Sequence, residues 1–492
     1  MFGWESPASG LGSSMAADRA SRQRLPERSS LPPGVATGRP SVPFTVLSPA
    51  AARRTLASPT LLLCVAGVVL PNLLSLGALA AGIGMPPRTT AIAAYAALAL
   101  VARSAPRSIT IAFLLAVAGY DATATIALLF NLAPSEIATA LQLSAELKLF
   151  ESPLYIAIAI GAAGVLGANL AMLTLARRTF ARGNALVMAA LALAFGAADF
   201  LTNTSAHYRF GTLYARGKPI ESASLSSGFR SVAADAGQGH VLMVMVEALG
   251  LLADPAQHAI LLEPFRNSEL LRRYTVTTGD TTYYGSTTAA EMRELCDTRE
   301  PYQAILEGKS LACLPELAAT RGHRTVAFHN FTKTFFERLD WYPRIGFQKS
   351  VFGEDMTEVP RRRCGGPFKG ICDVDVVPLI ARELQSATKP TFAYWLTLST
   401  HVPIAPRQGT PRLGCEGGGP VGQVEVCYMM ELWVDLFKAL VDLTADIPPT
   451  DILIVGDHAP PLWSKTGRGL FEPGKVPWIR LKPVPQAQAK AG

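Results

Sequence analysis

From residue 60 to 203 the chain is apolar at almost every position, and short polar loops divide it into stretches at 60–82, 89–104, 108–132, 153–176 and 184–203. Stretches near 20 apolar residues suit a hydrocarbon core about 30 Å thick, so the pattern predicts about five membrane-spanning helices. After residue 205 the pattern shortens. Apolar, β-branched runs at His240–Val246, Thr325–Phe328, Phe392–Leu398 and Asp451–Val455 alternate with helical periods around 302–320, 373–387 and 428–445. That alternation predicts an α/β domain with a mostly parallel central sheet. The expected division is a basic tail (1–58), a transmembrane domain (59–204), a linker (205–236) and a catalytic domain (237–484).

The tail is rich in Ser, Pro and Ala and is expected to be disordered. Its composition does not resemble a cleavable leader, because the first apolar run begins near Thr60 and exceeds a signal-peptide core; Met15 is an alternative start. Arg103 and Arg107 lie in one interhelical loop and Arg177, Arg178 and Arg182 in another, and alternation puts both loops on the side of the Arg-rich tail. The opposite side carries Arg88, Glu136, Glu146, Lys148 and Glu151, with no basic excess. The Lys/Arg bias therefore predicts a cytoplasmic N-terminus, and five crossings place the catalytic domain outside the inner membrane. Two carboxylates, Asp121 and Asp199, fall inside the apolar stretches. There they are expected to pair with neighbouring helices or to sit at the outer interface.

Cysteine placement bears on the same topology. Cys64 is alone in the first apolar stretch, whereas Cys296, Cys313, Cys364, Cys372, Cys415 and Cys427 all follow residue 205. An even set in the outer domain points to an oxidising compartment. Sequential pairing is the natural choice among the possible connectivities, and the absence of a CxxC pair disfavours a zinc knuckle.

Ligands of open α/β sheets bind beyond the carboxyl ends of the strands. The run Val-Leu-Met-Val-Met-Val leads straight into Glu247, and Ile-Leu-Ile-Val leads through Gly456 into Asp457 and His458. Two carboxylates and an imidazole at buried strand ends are hard and borderline ligands for a divalent ion. Between them, Gly285-Ser-Thr-Thr-Ala-Ala-Glu-Met292 reads as a glycine turn opening a helix. A hydroxyl there is either a cap, with Glu291 completing the arrangement, or a nucleophile at the positive end of the helix.

The ordered set Glu247, Thr287 and Asp457-His458, behind membrane spans, resembles the membrane-anchored head-group transferases of the alkaline phosphatase superfamily: lipoteichoic acid synthases, phosphoglycerol transferases and phosphoethanolamine transferases. The resemblance covers about residues 60–480. It implies a sulfatase-like fold and a divalent metal ion, zinc or manganese, held by Glu247, Thr287, Asp457 and His458. Thr287 would be the nucleophile because Gly285-x-Thr287-x-x-x-Glu291 looks like the synthase pattern, with Thr288 the runner-up. His329-Asn330 followed by Phe336 and Arg338 is similar to the segment whose arginine contacts the head-group phosphate, and His401 in Leu-Ser-Thr-His-Val-Pro resembles the substrate histidine. The implied partners are a phospholipid donor and a cell-envelope glycan or glycolipid acceptor. Around Glu247 the chain reads Val-Glu-Ala-Leu-Gly, which matches neither the Gly-Glu-Thr-x-Arg of the phosphoethanolamine enzymes nor the Glu-Ser-Phe of the synthases. Cys313-Leu-Pro-Glu-Leu lacks the arginine of a formylglycine motif. A hydrolase of the same superfamily and a catalytically silent lipid- or glycan-binding protein are the competing readings.

Charge sharpens this last choice. Of the formal +7, the tail carries +4 and residues 59–204 carry +2, which leaves the catalytic domain near +1. The charge thus gives no support to a nucleic-acid partner. Phosphate must be held by a few placed groups.

Overall fold

The computed structural model describes residues 58–132, 137, 153–203, 217–235, 239–360, 362–366 and 368–485. The expected disordered tail up to residue 57, and residues 205–216 and 236 of the expected linker, lie outside these residues.

Five N-terminal helices of 13 residues or more are described: α1 Pro59–Ala80, α2 Thr89–Val101, α3 Arg107–Leu129, α4 Pro153–Leu175 and α5 Ala185–Asn203. Four of them are long and apolar enough to cross a membrane, so the expectation of five spans is corrected to four. The exception is α2. At 13 residues it extends only about 20 Å at 1.5 Å per residue, well short of a bilayer core. Its alanines instead fill the centre of the bundle, with Leu98 and Ala99 buried. Gly67 of α1 permits that approach, since a β-carbon there would lie 2.9 Å from Ala99 Cβ; small residues at helix contacts are the usual basis of membrane packing.

The two ends of the bundle differ. At one end Arg103 donates to Ala181 O (2.8 Å) and the Asn184 amide donates to Thr60 Oγ1 (3.0 Å), so the Arg-rich loops meet the start of α1. Near the other end Arg88 pairs with Asp121 and donates to Asn72 Oδ1 (2.9 Å), while Asp199 accepts from the Arg88 amide (2.7 Å). Both intramembrane carboxylates are thus held by a neighbouring segment.

The C-terminal domain is built on a seven-stranded sheet. Its strands are β1 His240–Val246, β2 Tyr274–Thr282, β3 Arg324–His329, β4 Lys349–Phe352, β7 Thr391–Leu396, β8 Thr450–Gly456 and β9 Lys475–Pro483; the two-residue β5 Arg363–Cys364 and β6 Gly370–Ile371 pair separately. The order is β2-β9-β8-β1-β7-β3-β4, parallel from β8 to β4 and antiparallel across β9 and β2. Helices α6 Thr287–Cys296, α7 Asp373–Gln385 and α8 Val424–Asp446 cover the faces. A sheet buried on both faces calls for continuous apolar strands, and from Val241 to Val246 every residue of β1 has no exposed surface. The helical stretch expected over 302–320 divides into Gln303–Leu306 and Leu314–Thr320, with Gly308 at positive φ and Pro315 opening the second piece. Three disulfides join Cys296 to Cys313, Cys364 to Cys372 and Cys415 to Cys427, as the sequential pairing expects.

Candidate active site and metal centre

Adjacent parallel strands end side by side, and the central trio β8-β1-β7 delivers the chemistry. Glu247 follows β1, Asp457 and His458 follow β8, and the turn after β7 leads to His401. The first two ends are tied together: the Asp457 amide donates to Val246 O (3.2 Å), and Asp457 Oδ1 accepts from the Ala248 (2.7 Å) and His458 (2.6 Å) amides. Ala248 adopts φ +54°, a conformation costly for a side-chain-bearing residue, and the Asp457 carboxylate is what fixes it. Gly456 makes the approach possible, because a β-carbon there would lie 2.1 Å from Leu249 O. The third strand contributes Thr397 Oγ1, which accepts from the Glu247 amide (2.9 Å), and Thr400 Oγ1, which donates to Glu247 O (2.5 Å).

Thr287 is the first residue of α6. Its hydroxyl lies 2.9 Å from Asp457 Oδ2, 3.3 Å from Glu247 Oε2 and 3.3 Å from His458 Nε2. Glu247, Asp457 and His458 each offer a ligand atom within 4.8 Å of the others, and all three are buried. His458 Nδ1 lies 3.0 Å from Ala459 O; donation to that carbonyl selects the tautomer that presents the Nε2 lone pair to the centre. Burial, and then the Asp457 carboxylate beside it, push Glu247 well above the usual carboxylate range. Two converging buried carboxylates repel each other unless a cation lies between them. With an imidazole nitrogen and a hydroxyl, this donor set fits a divalent ion. Thr288, the alternative nucleophile, is buried, with its hydroxyl 3.1 Å from Ser286 Oγ.

The other expected residues occupy different positions. Glu291, read from sequence as a capping partner, is fully buried and binds Arg338 instead, through Nε (3.1 Å) and Nη2 (2.8 Å). Tyr342 and Tyr394 donate to the same carboxylate. Arg338 is 1% exposed and spends its fork on α6, with Nη1 on Phe335 O (3.1 Å). His401 packs its ring 3.8 Å from that of Phe368. Burial first, and then nearby His458, lower its pKa to about 4, so it is neutral at pH 7. His329 is buried with Nδ1 3.3 Å from Leu396 O, and Asn330 donates to Asp373 Oδ1 (2.6 Å).

Two supporting residues escaped the sequence reading. Arg293, buried within α6, donates to Asp457 O (3.2 Å) and Gly456 O (2.9 Å) and pairs with Glu294. Asp373 accepts from the Leu398 (2.9 Å) and Ser399 (3.0 Å) amides and so shapes the turn leading to His401. Only the rarity of a charge on an otherwise apolar helix face could have flagged either.

Residues 266–475 match the family model described as Sulfatase. The C-terminal domain is thus sulfatase-like over the matched segment. In the structure the same sheet reaches back to β1, so Glu247 belongs to this fold although it precedes the matched residues. No curated protein matches the chain. Among solved structures it is similar to the lipoteichoic acid synthase LtaP from Listeria monocytogenes (14% identity, TM-score 0.39, covering 53% of this chain and 71% of that one). The phosphoglycerol transferase GacH of Streptococcus pyogenes, in complex with sn-glycerol-1-phosphate, matches at 15% identity and TM-score 0.37 over 53% of this chain and 78% of that one. The C-terminal periplasmic domain of EcEptC from Escherichia coli, in complex with Zn, matches at 13% identity and TM-score 0.34 over 52% and 76%.

Proposed function

We propose that the protein is a metal-dependent transferase that moves a phospholipid head group, phosphoglycerol or phosphoethanolamine, onto a cell-envelope glycan or glycolipid through a phosphothreonine at Thr287. The observation that carries this reading is the Thr287 hydroxyl at the start of α6, within 3.3 Å of all three candidate ligand side chains. A divalent ion held by Glu247, Asp457, His458 and Thr287 supplies positive charge that favours the alkoxide and the transferring phosphate.

The residues do the rest. Thr287 Oγ1 attacks phosphorus, its bond to phosphorus forms as the bond to the diacylglycerol oxygen breaks, and the threonine proton ends on diacylglycerol. The amides at the N-terminus of α6 stabilise the phosphate charge. In the second step neutral His401 takes the proton of an acceptor hydroxyl as it attacks, and Thr287 regains a proton as it leaves. Arg338 acts by holding Glu291, and with it α6, and by placing a fixed positive charge behind the site.

The reading also assigns a side. The catalytic domain meets the bundle at the end opposite the Arg-rich loops, and α2, although too short to count as a span, runs from Arg88 at that end to Arg103 at the other and so keeps the alternation of the chain; by the positive-inside rule the N-terminus would then be cytoplasmic and the site on the outer face of the inner membrane.

The test is mass spectrometry of the full-length enzyme after incubation with phospholipids isotopically labelled in the head group. A labelled phosphate adduct on the Thr287 peptide is expected, and Thr287→Ala should lack it. An adduct on Thr288, or head group released to water with no adduct on wild type, would refute the mechanism; release to water alone would make the protein a hydrolase.

A further inference from the structure

The loop that carries the candidate metal ligands continues from Asp457-His458 onto the membrane bundle. The Gly84 amide donates to Trp463 O (2.8 Å), the Lys465 amide donates to Gly82 O (3.1 Å), and Ile83 and Ser464 pair between them as an antiparallel bridge. The Trp463 ring meets Phe130 edge-on at 6.0 Å, in a small apolar cluster with Leu79 and Leu129. Five residues further on, buried Arg468 donates Nε to Leu462 O (2.6 Å) and Nη2 to Leu129 O (3.0 Å). Leu129 is the last residue of α3. Its carbonyl belongs to the negative end of a membrane helix and has no acceptor role inside that helix, so a buried guanidinium there is a cap supplied by the catalytic domain.

The nucleophile's turn touches the same end of the bundle. The β-carbon that Gly285 lacks would lie 3.8 Å from Asn131 O, two residues beyond α3, and Tyr283 from that turn stands 6.4 Å from the His458 ring. The loop after β8 therefore rests on the membrane domain, and the turn before Thr287 passes close to it.

We propose that the membrane bundle is part of the catalytic apparatus. The strap 459–471, with Trp463 and Arg468 as positioning residues, sets the height of Thr287 and Asp457-His458 over the bilayer, so that a phosphate borne by a lipid is presented and a soluble one gains nothing from the contact. The inference rests on the transferase reading above. Its physical basis is that the bilayer fixes the depth of a lipid phosphate, so a site held at the wrong height meets that phosphate out of position, and about 1 Å of misplacement between reacting groups costs up to about a hundredfold in rate; a soluble diester follows the site and loses nothing.

The experiment uses full-length protein in phosphatidylglycerol/phosphatidylethanolamine vesicles with labelled head groups, and the water-soluble diester bis(p-nitrophenyl) phosphate in parallel. Trp463→Ala is expected to slow labelling of Thr287 from vesicles by roughly tenfold or more while leaving hydrolysis of the soluble diester and the bound-metal content unchanged. The milder Trp463→Phe, which keeps a ring against Phe130, should retain most of the vesicle rate. In the Trp463→Ala background, a disulfide between Ile83→Cys and Ser464→Cys should restore the vesicle rate on oxidation. Full vesicle activity in Trp463→Ala, equal loss on both substrates, or a formed crosslink without rescue each overturns the proposal. The same cysteine pair, in otherwise wild-type protein and without substrate, should crosslink readily in membranes, and its failure to do so would also overturn the proposal. A wild-type enzyme that never labels Thr287 refutes the transferase reading instead.

Discussion

Replacing Glu291 with glutamine isolates a fully buried electrostatic element beside the site. Glu291 has no exposed surface and Arg338 only 1%. The carboxylate accepts Arg338 Nε (3.1 Å) and Nη2 (2.8 Å) and the hydroxyls of Tyr342 and Tyr394. Glu291→Gln preserves shape but leaves the guanidinium without its counter-charge and turns one acceptor into a donor facing donors. Burial alone would strip Arg338 of its proton more readily, yet Glu291 holds its pKa above the ordinary arginine value; that support disappears in the variant. Breaking a buried pair from one side costs about 3–5 kcal/mol, which corresponds to a fall in Tm of roughly 6–20 °C for a domain of this size. Thermal unfolding followed by tryptophan emission reads this directly, since Trp341, Trp395 and Trp433 are all buried in the catalytic domain. The double variant Glu291→Leu/Arg338→Met should lose much less than the sum of its singles, because no charge is stranded. Strict additivity, or Arg338→Met that leaves Tm unmoved and raises only KM for the donor, would show that Arg338 serves substrate phosphate and that its pairing with Glu291 is incidental.

Three further outcomes are expected. Arg293→Met removes two donors from the carbonyls of Gly456 and Asp457 and should weaken metal retention by about 10- to 100-fold, measured by metal titration, while leaving the disulfide pattern intact. Chelation should stop Thr287 labelling, with recovery on adding zinc or manganese; labelling that persists after metal is stripped refutes the metal role. His401 has its pKa lowered from 6.5 to about 4, so the unfolded chain takes up a proton before the folded one does. It therefore contributes stability that is complete above pH 6.5 and declines as pH falls towards 4; His401→Asn should flatten the pH dependence of the urea midpoint in that window.

The candidate cluster of Glu247, Asp457 and His458 was legible because these residues interrupt apolar runs, and a charge ending a buried strand has few roles. Thr287 was preferred to Thr288 only on the pattern Gly285-x-Thr287-x-x-x-Glu291; its closeness to Asp457, Glu247 and His458 depends on contacts 40 to 171 residues apart, which no local pattern carries. Three of the central sheet's seven strands, β2, β4 and β9, were not legible. β2 is Tyr-Thr-Val-Thr-Thr-Gly-Asp-Thr-Thr, a half-exposed edge with no apolar alternation, and its Gly279 exists to admit the Trp478 ring, which would lie 2.4 Å from a β-carbon. Glu291 was misread because local capping patterns carry no information about Arg338, a partner 47 residues away. The span count failed for a related reason: hydropathy registers α2 as apolar, but only tertiary packing shows that its alanines face other helices.

Gly456 links these observations to the tolerance of the chain for change. Because a β-carbon there would lie 2.1 Å from Leu249 O and 3.1 Å from Val476 Cβ, even alanine must prise the segment after β1 away from the segment after β8, and so part Glu247 from Asp457. Most buried positions in a core admit drift among side chains of similar volume. This one has no smaller or equal alternative. A saturation library at 456 should return a single functional codon family, which makes the position a fixed point around which the surrounding sequence is free to diverge.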